Sequence, residues 1–482
     1  MQVSAALLIQ QLLPDIVLSL FGIAILLADS FVPKQRKHVL GVLSIVGIVA
    51  TMACTINLVG EYGTYFSGMV VVDTFGIFFR LVFLVIAGLV ILASFSYLDQ
   101  QKLQLSEYYA LILFATVGMN MMVASTQLIM IFLGLETLSV SSYVLLGIRR
   151  TDLKSNESAL KYFLLGSFSS AFLLYGIALA YGATRSSDIQ VIFRAIETRS
   201  ADLRLLHVAL GLLLVGLGFK VSAVPFHVWT PDVYEGAPSP VSGFMSAGPK
   251  AASFAVMLRL LFVALPAIQS KWVLLVGVSA LLTMTIGNVV ALVQSNIKRM
   301  LAYSSIAHAG YILVAVASAT DSGITAVLFY TLAYALMNIG AFTVVSLIGK
   351  EDERNIHIED YAGLGFKQPL LAASLSVFLL SLAGIPLTAG FAGKFFIFRA
   401  ALESRLLWLT IFGVLNSALS VYYYLRVIVT MYMEEPMADF SPVAVPTSLR
   451  LALGIAVFGT LQMGIYPGLL MTFLGSSLFS MR

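Results

Sequence analysis

The 482-residue sequence has a single cysteine, Cys54, set in an apolar run with no partner. That excludes an internal disulfide and any iron–sulfur cluster held by cysteines of this chain; the residue reads as a small buried side chain. Charge is also scarce. Asp, Glu, Lys and Arg make up 11% of the residues against 59% hydrophobic, whereas a soluble domain carries about 25% charged residues. Such a chain is an integral membrane protein. Its net charge of +4 is scattered over loops, with no basic stripe, so nucleic acid is not an expected partner. There is no glycine-rich phosphate loop, no cluster of metal-ligand residues and no flavin motif, so no redox centre is expected in this chain. The N-terminus lacks a basic leader with a small-residue cleavage site, so the first helix is expected to be retained as a span.

What is present in abundance is apolar sequence. Runs of about 18 residues or more, long enough to cross a bilayer as helices, recur fourteen times between about 14–32 and 449–472. The expected fold is all-α, with about fourteen transmembrane helices and both termini on one side. Lys34, Arg36, Lys37, Arg149, Arg150, Lys154, Lys298, Arg299, Lys350, Arg354 and Lys367 then share the opposite side, while Arg185, Arg194 and Arg199 lie on the termini's side. The bias of basic residues toward cytoplasmic loops puts both termini outside the cytoplasm. The stretch from Thr184 to Asp202 reads as a surface connection, and KEDER, Lys350 to Arg354, as a solvated loop.

Two spans carry their own interruption. In the seventh, at about 204–227, Lys220 sits within the apolar run and Pro225 follows it, then HVWTPDVYEGAPSP turns the chain into a helix with Lys250 beside Pro249. Proline removes a backbone donor and clashes with the preceding turn, so the helix is expected to break beside the charge. In the twelfth, at about 369–402, Gly384, Pro386, Gly390 and Gly393 interrupt the run and Lys394 follows. A lysine at the bilayer centre costs about 2.5–3.5 kcal/mol on insertion scales, so such residues call for a function. The broken spans are five apart. If spans four to eight and nine to thirteen are repeats, the odd number turns the second copy upside down, the inverted plan of many transporters. The division expected is a three-helix segment (1–106), a first five-helix repeat (107–268), an inverted second repeat (269–435) and a C-terminal helix (436–482).

Glu136, in the fifth span, is the carboxylate set against Lys220, Lys250 and Lys394. Lys161 lies near the start of the sixth span, where its stem could also reach the interface, and His308 lies inside the tenth. Arg80, Arg259 and Arg426 read as anchors near span ends. A buried pair offers little stability over apolar packing, so charges in several spans favour function over scaffolding. A carboxylate roughly 5 Å from a lysine contributes about 3 kcal/mol at an effective dielectric near 20. Small movements of Glu136 relative to Lys220 would therefore load or release a proton.

The stretches GLETLSVSSYVLLG, ALKYFLLGSFSSAFLLYG, GFKVSAVPFHVWTPDVYEGAPSPV and AGIPLTAGFAGKFFIF resemble the antiporter-like subunits of respiratory complex I, the NADH:quinone oxidoreductase, over essentially the whole chain. The resemblance implies two inverted five-helix repeats and a proton path along the membrane centre. It implies that Glu136 and Lys220 pair in one half, that Lys250 bridges the halves, that Lys394 serves the second half toward a neighbouring subunit, and that His308 and Lys161 are relay residues. It also implies a bacterial inner membrane and a proton-translocating assembly. Beside this chain would stand a second antiporter-like subunit and a small subunit with intramembrane glutamates, with flavin, iron–sulfur clusters and quinone held by partner subunits. Two other functions fit the same helices: a subunit of a multisubunit sodium/proton antiporter, and a stand-alone secondary transporter with a polar or aromatic solute pocket at the broken helices.

Overall fold

The computed structural model describes residues 5–33, 36–66, 69–103, 105–436 and 444–478; Lys34 lies outside them. In chain order the elements are α1 (Ala5–Asp29), α2 (His38–Ile56), β1 (Gly63–Tyr65), β2 (Val70–Val72), α3 (Thr74–Gln100), α4 (Glu107–Val123), α5 (Leu128–Leu146), α6 (Leu153–Thr184), α7 (Ile189–Glu197), α8 (Leu203–Val221), α9 (Thr230–Gly236) and α10 (Ser239–Leu258). They continue with α11 (Gln269–Ala291), α12 (Ile297–Ala317), α13 (Asp321–Ile348), α14 (Leu364–Lys367), α15 (Pro369–Ala383), α16 (Ala389–Glu403), α17 (Leu407–Met433), α18 (Thr447–Ile465) and α19 (Pro467–Leu478). Twelve of the described helices are long and apolar enough to cross a membrane. The other two expected crossings are the 17-residue α4 and the divided α15–α16.

The breaks fall where proline and glycine put them. Lys220 is the penultimate residue of α8, which ends on Ser222 with a left-handed φ of 63°. The chain re-enters a helix only at α9, past Pro225. Second, α15 ends at Gly384 with φ 89°, and α16 begins five residues later. Gly390, in the first turn of α16, lies so close to the Ser381 carbonyl that a Cβ there would overlap it. Non-helical backbone inside a membrane must find partners within the protein. At the first break Val224 N–H donates to Thr283 Oγ1 (2.9 Å), Ser279 Oγ donates to Val224 O (3.2 Å), and the Trp229 indole donates to Phe219 O (3.1 Å).

Three helices form the interior. In α10, α12 and α13 about nine-tenths of the most apolar stretch is buried within the protein, against 28–39% in α1, α2, α11, α17 and α18, whose outer faces are apolar and exposed. Lipid solvates those faces, so hydrophobicity on them needs no protein partner.

Several sequence expectations change. A two-stranded antiparallel hairpin, β1 against β2, interrupts the all-α pattern, pairing Gly63 with Val72. Arg80 and Arg259 are not interfacial anchors. Both are buried, Arg80 on Asp15 at 2.8 Å, and Arg259 on Asp73 through both guanidinium nitrogens at 2.8 Å with its Nε donating to Val123 O. They clasp the N-terminal helices to one another and to the end of α10, because a buried guanidinium needs a carboxylate to share the loss of water. Arg426 binds the Leu292 and Gln294 carbonyls at the end of α11. Cys54 is partly exposed.

Removing one partner of a buried pair strands the other charge, a loss of about 3–5 kcal/mol. Arg259→Met should therefore lower the yield and melting temperature of the detergent-solubilised protein, and Arg259→Met with Asp73→Leu should recover most of the loss. Equal damage in the single and double variants would show that the pair itself is not what is missing.

Candidate functional site

Lys220, Lys250, Lys394 and His308 are 1–4% exposed and lie in the interior of the helix bundle. None of the three lysines forms an ion pair among the described residues. Each is held by neutral oxygens instead. Lys220 donates to Ser139 Oγ (2.8 Å) on α5 and to Tyr162 OH (3.2 Å) on α6. Lys250 donates to both oxygens of Ser305 on α12, Oγ at 2.5 Å and the carbonyl at 2.9 Å. Lys394 reaches back across its break to the last carbonyls of α15, Leu382 O (2.9 Å) and Ala383 O (3.1 Å), and to Ser417 Oγ (2.9 Å). The C-terminal end of a helix carries partial negative charge, so the broken span itself partly balances the lysine it carries.

Glu136 lies one turn from Ser139 on α5, partly buried, with Ser170 Oγ donating to it at 2.5 Å. The expected Glu136–Lys220 pair is therefore not a direct contact. A hydroxyl on the glutamate's own helix stands at the lysine.

α12 joins the remaining groups. Next to Ser305, Ser304 shares a short hydrogen bond with Tyr424 OH; that hydroxyl also meets His308 Nε2 (3.0 Å), and His308 Nδ1 meets Tyr330 OH (2.6 Å). One turn on, the Tyr311 ring lies 4.9 Å beneath the Lys394 ammonium. Serine and tyrosine hydroxyls both donate and accept, so the hydrogen bonds that join Ser304, Tyr424, His308 and Tyr330 can reverse, with Lys250 at the adjacent Ser305 and Lys394 over the Tyr311 ring. Between Lys220 and Lys250 stand the rings of Tyr162, Trp229 and Tyr234, with successive centroids 4.8 and 5.9 Å apart.

Lys161 is not part of this set. Its side chain is 39% exposed and ion-paired to Glu157 (2.6 Å) and Asp232 (2.7 Å), in a network with Arg299, Glu235 and Lys154 that ties α6 and α12 to α9.

Two groups read as loop charges are internal. Lys298 is fully buried, donating to Glu353 Oε2 (2.7 Å) and to Ala237 O (2.6 Å), and Glu353 of the KEDER loop also faces Arg149 at 3.5 Å. Glu353 Oε1 accepts from both the backbone N–H (2.8 Å) and the hydroxyl (2.6 Å) of Ser239, the first residue of α10. Burial alone would raise the Glu353 carboxyl; Lys298, Ser239 and Arg149 reverse that and hold it below the ordinary carboxylate range. Above this cluster lies a cavity of about 1230 Å3 lined by charged residues of both signs, among them Asp29, Lys37, Arg149 and Lys154. Span-end position gives no hint of such burial. Among the described residues no cluster of His, Cys, Asp or Glu is placed to hold a metal ion.

A family model described as "NADH:quinone oxidoreductase/Mrp antiporter, TM" matches residues 125–420, which hold both breaks and all the buried lysines. A relative from Trichlorobacter lovleyi named NADH-quinone oxidoreductase subunit N is 51% identical, over 96% of this chain and 95% of its own. The chain belongs to the NADH:quinone oxidoreductase/Mrp antiporter transmembrane family. Solved structures place that family's fold on this chain. A chain of respiratory complex I from Thermus thermophilus superposes with a TM-score of 0.82 at 35% identity, covering 96% of this chain and 99% of its own. A chain of the Mrp complex from a Dietzia species reaches 0.85 at 20% identity over 98% and 97%, a likeness of fold alone.

In this antiporter-family member, Ser139→Ala would leave a buried ammonium short of an acceptor, a loss of about 1–3 kcal/mol. The detergent-solubilised protein should melt at a lower temperature, with Ser139→Thr close to the parent. An unchanged melt for Ser139→Ala would mean that Lys220 does not depend on that hydroxyl.

Proposed function

We propose that this chain is a proton-translocating membrane-arm subunit of NADH:quinone oxidoreductase, in which Glu136, Lys220, Lys250 and Lys394 exchange protons and His308 relays them. The observation that carries the reading is the set of polar contacts on α12: Ser305 meets Lys250, Ser304, Tyr424 and His308 share hydrogen bonds, and Tyr311 lies under Lys394, neither lysine having a carboxylate against it among the described residues. A lysine held only by neutral groups responds to any charge brought near it. A signal that moves Glu136 or a neighbouring subunit's charge would therefore shift protons along the line. Moving one charge against 100 mV takes about 2.3 kcal/mol, comparable with the interaction of two charges about 5 Å apart at a dielectric near 20.

On this reading the spans over 107–268 and 269–435 are inverted repeats, each contributing one break and its lysine. The charged loop face is cytoplasmic and both termini face the periplasm across a bacterial inner membrane. The partners are other membrane-arm subunits, including a second antiporter-like subunit beside Lys394 and a small subunit with intramembrane glutamates beside Glu136, whose side chain is partly exposed. Flavin, iron–sulfur clusters and quinone belong to partner subunits. Lys161, paired at the edge, steadies α6 and α9 rather than carrying protons. Close identity to subunit N relatives favours this role over a sodium/proton antiporter, whose likeness is one of fold. A solute transporter would need a substrate pocket rich in polar groups at the breaks; the cavities there, about 480 and 340 Å3, have mainly apolar walls, and the polar groups are spent on the lysines and the backbone.

Purification from native membranes should bring the chain down with flavin and iron–sulfur absorbance; a free-standing, redox-silent particle would count against the assignment. Glu136→Ala and Lys220→Ala should depress the protons moved per NADH oxidised while the assembly persists on native gels. Disassembly with normal pumping by residual particles would make these residues scaffolding.

A further inference from the structure

The buried lysine that bridges the two halves stands on a helix with a polar stripe leading to it. On α10, Ser239, Ser242, Ser246 and Lys250 are all buried, and at about 100° per residue they fall within an arc of about 80°. The stripe starts at Glu353 and Lys298, beneath the large charged cavity, and runs three turns inward. Each step is about one helical turn, a distance that one water molecule spans between two hydroxyls.

The groups flanking the stripe are polar as well. Asn338 of α13 donates to Ser246 Oγ at 2.6 Å, while its own Oδ1, fully buried, has no partner among the described residues. Tyr334 faces both Ser246 and Ser305, and Tyr234, whose carbonyl accepts from Ser242 Oγ at 2.8 Å, faces Ser305 with its ring hydroxyl. Neither phenol finds a well-formed hydrogen bond among the described residues. Buried polar groups left with spare donors and acceptors beside a line of hydroxyls are what a proton route needs.

We infer that protons reach Lys250 from the charged cavity along Ser239, Ser242 and Ser246 of α10. Glu353 is the positioning residue of this route. Supplied by the loop after α13, it accepts from the first N–H and hydroxyl of α10 and holds the stripe's mouth against Lys298. The KEDER loop is then a working part of the route and no mere connection. The inference rests on the proposed proton-translocating role of Lys250 and adds to it the direction of supply and the residues that provide it.

The test is the number of protons moved per NADH oxidised by the whole complex in inverted membrane vesicles, with assembly followed on native gels. Ser246→Ala removes the hydroxyl without adding bulk, and it should lower that ratio as far as Lys250→Met does. Glu353→Gln should lower it too, and Glu353→Asp should restore part of the loss, which a purely structural defect would not do. Thr343→Val, which removes a buried hydroxyl from α13 away from the stripe, should keep the parent ratio. If Lys250→Met lowers the ratio while Ser246→Ala and Glu353→Gln keep it, the route is wrong and the role of Lys250 stands. If Lys250→Met is itself silent, the underlying reading falls and takes the route with it. Should Glu353→Gln fail to assemble, Ser246→Ala still decides.

Discussion

Three ammonium groups are held in the interior of a membrane protein by oxygens that carry no full charge, and the rest of the structure follows from that constraint. A lysine paired with a carboxylate would be electrically settled and slow to change state. One held by a serine hydroxyl or a helix-end carbonyl keeps its charge uncompensated, so its proton answers to whatever charge lies nearby. The helices must break to supply such carbonyls, as α15 does for Lys394. They must also bring hydroxyls to the remaining lysines, as α5 and α12 do for Lys220 and Lys250.

Holding those groups needs a rigid interior, and the full ion pairs are placed around the line of lysines rather than within it. Arg80 with Asp15, Arg259 with Asp73, and Lys298 and Arg149 with Glu353 each join segments far apart in the chain. Each is a pair whose single loss would strand a charge, which makes such contacts expensive to open. α10 is held at both ends by them, through Ser239 at its start and through Arg259 in the π-helical turn that follows Leu258. The helix that carries Lys250 is thus fixed to the second half at one end and to the N-terminal helices at the other.

Hydropathy alone marks the twelve helices long and apolar enough to cross a membrane, because a bilayer demands similar length and apolarity of every span. The breaks are legible for a related reason: Pro225, Pro386 and Gly384 disturb a pattern that is otherwise continuous. Lys220, Lys250, Lys394 and Glu136 stand out because each interrupts an apolar run. Lys298 and Glu353 do not, since a charge at the end of a span looks the same whether it turns into water or inward. Arg259 was hidden likewise, because its partner Asp73 is nearly two hundred residues away. The hydroxyls that hold the lysines were also hidden. Serine is common in membrane helices as a small packing residue, and only the tertiary arrangement decides which serine meets a lysine, Ser139 for Lys220 and Ser305 for Lys250. For Lys161 the place near the head of a span leaves both a relay and an interfacial position open, and the structure pairs it with Glu157 and Asp232.

The surroundings of Lys220 and Lys394 differ. Lys220 has Glu136 one turn from Ser139 on the same helix, near enough for that carboxylate to act on it electrostatically. Lys394 has no carboxylate of this chain against it among the described residues. Its surroundings are carbonyls, Ser417 and the Tyr311 ring, and a cavity of about 340 Å3 beside it is walled by Phe391, Phe395 and Val414, all of them exposed on the apolar surface. Any change in charge at Lys394 is therefore balanced only weakly from inside, by helix-end partial charges that fade within a turn. The larger influence on it, on the proposed reading, comes from the neighbouring subunit against that surface. On the proposed reading the line of lysines is governed at its Glu136 end by a carboxylate of this chain and at its Lys394 end by a neighbour, an asymmetry that gives proton movement along the line a direction.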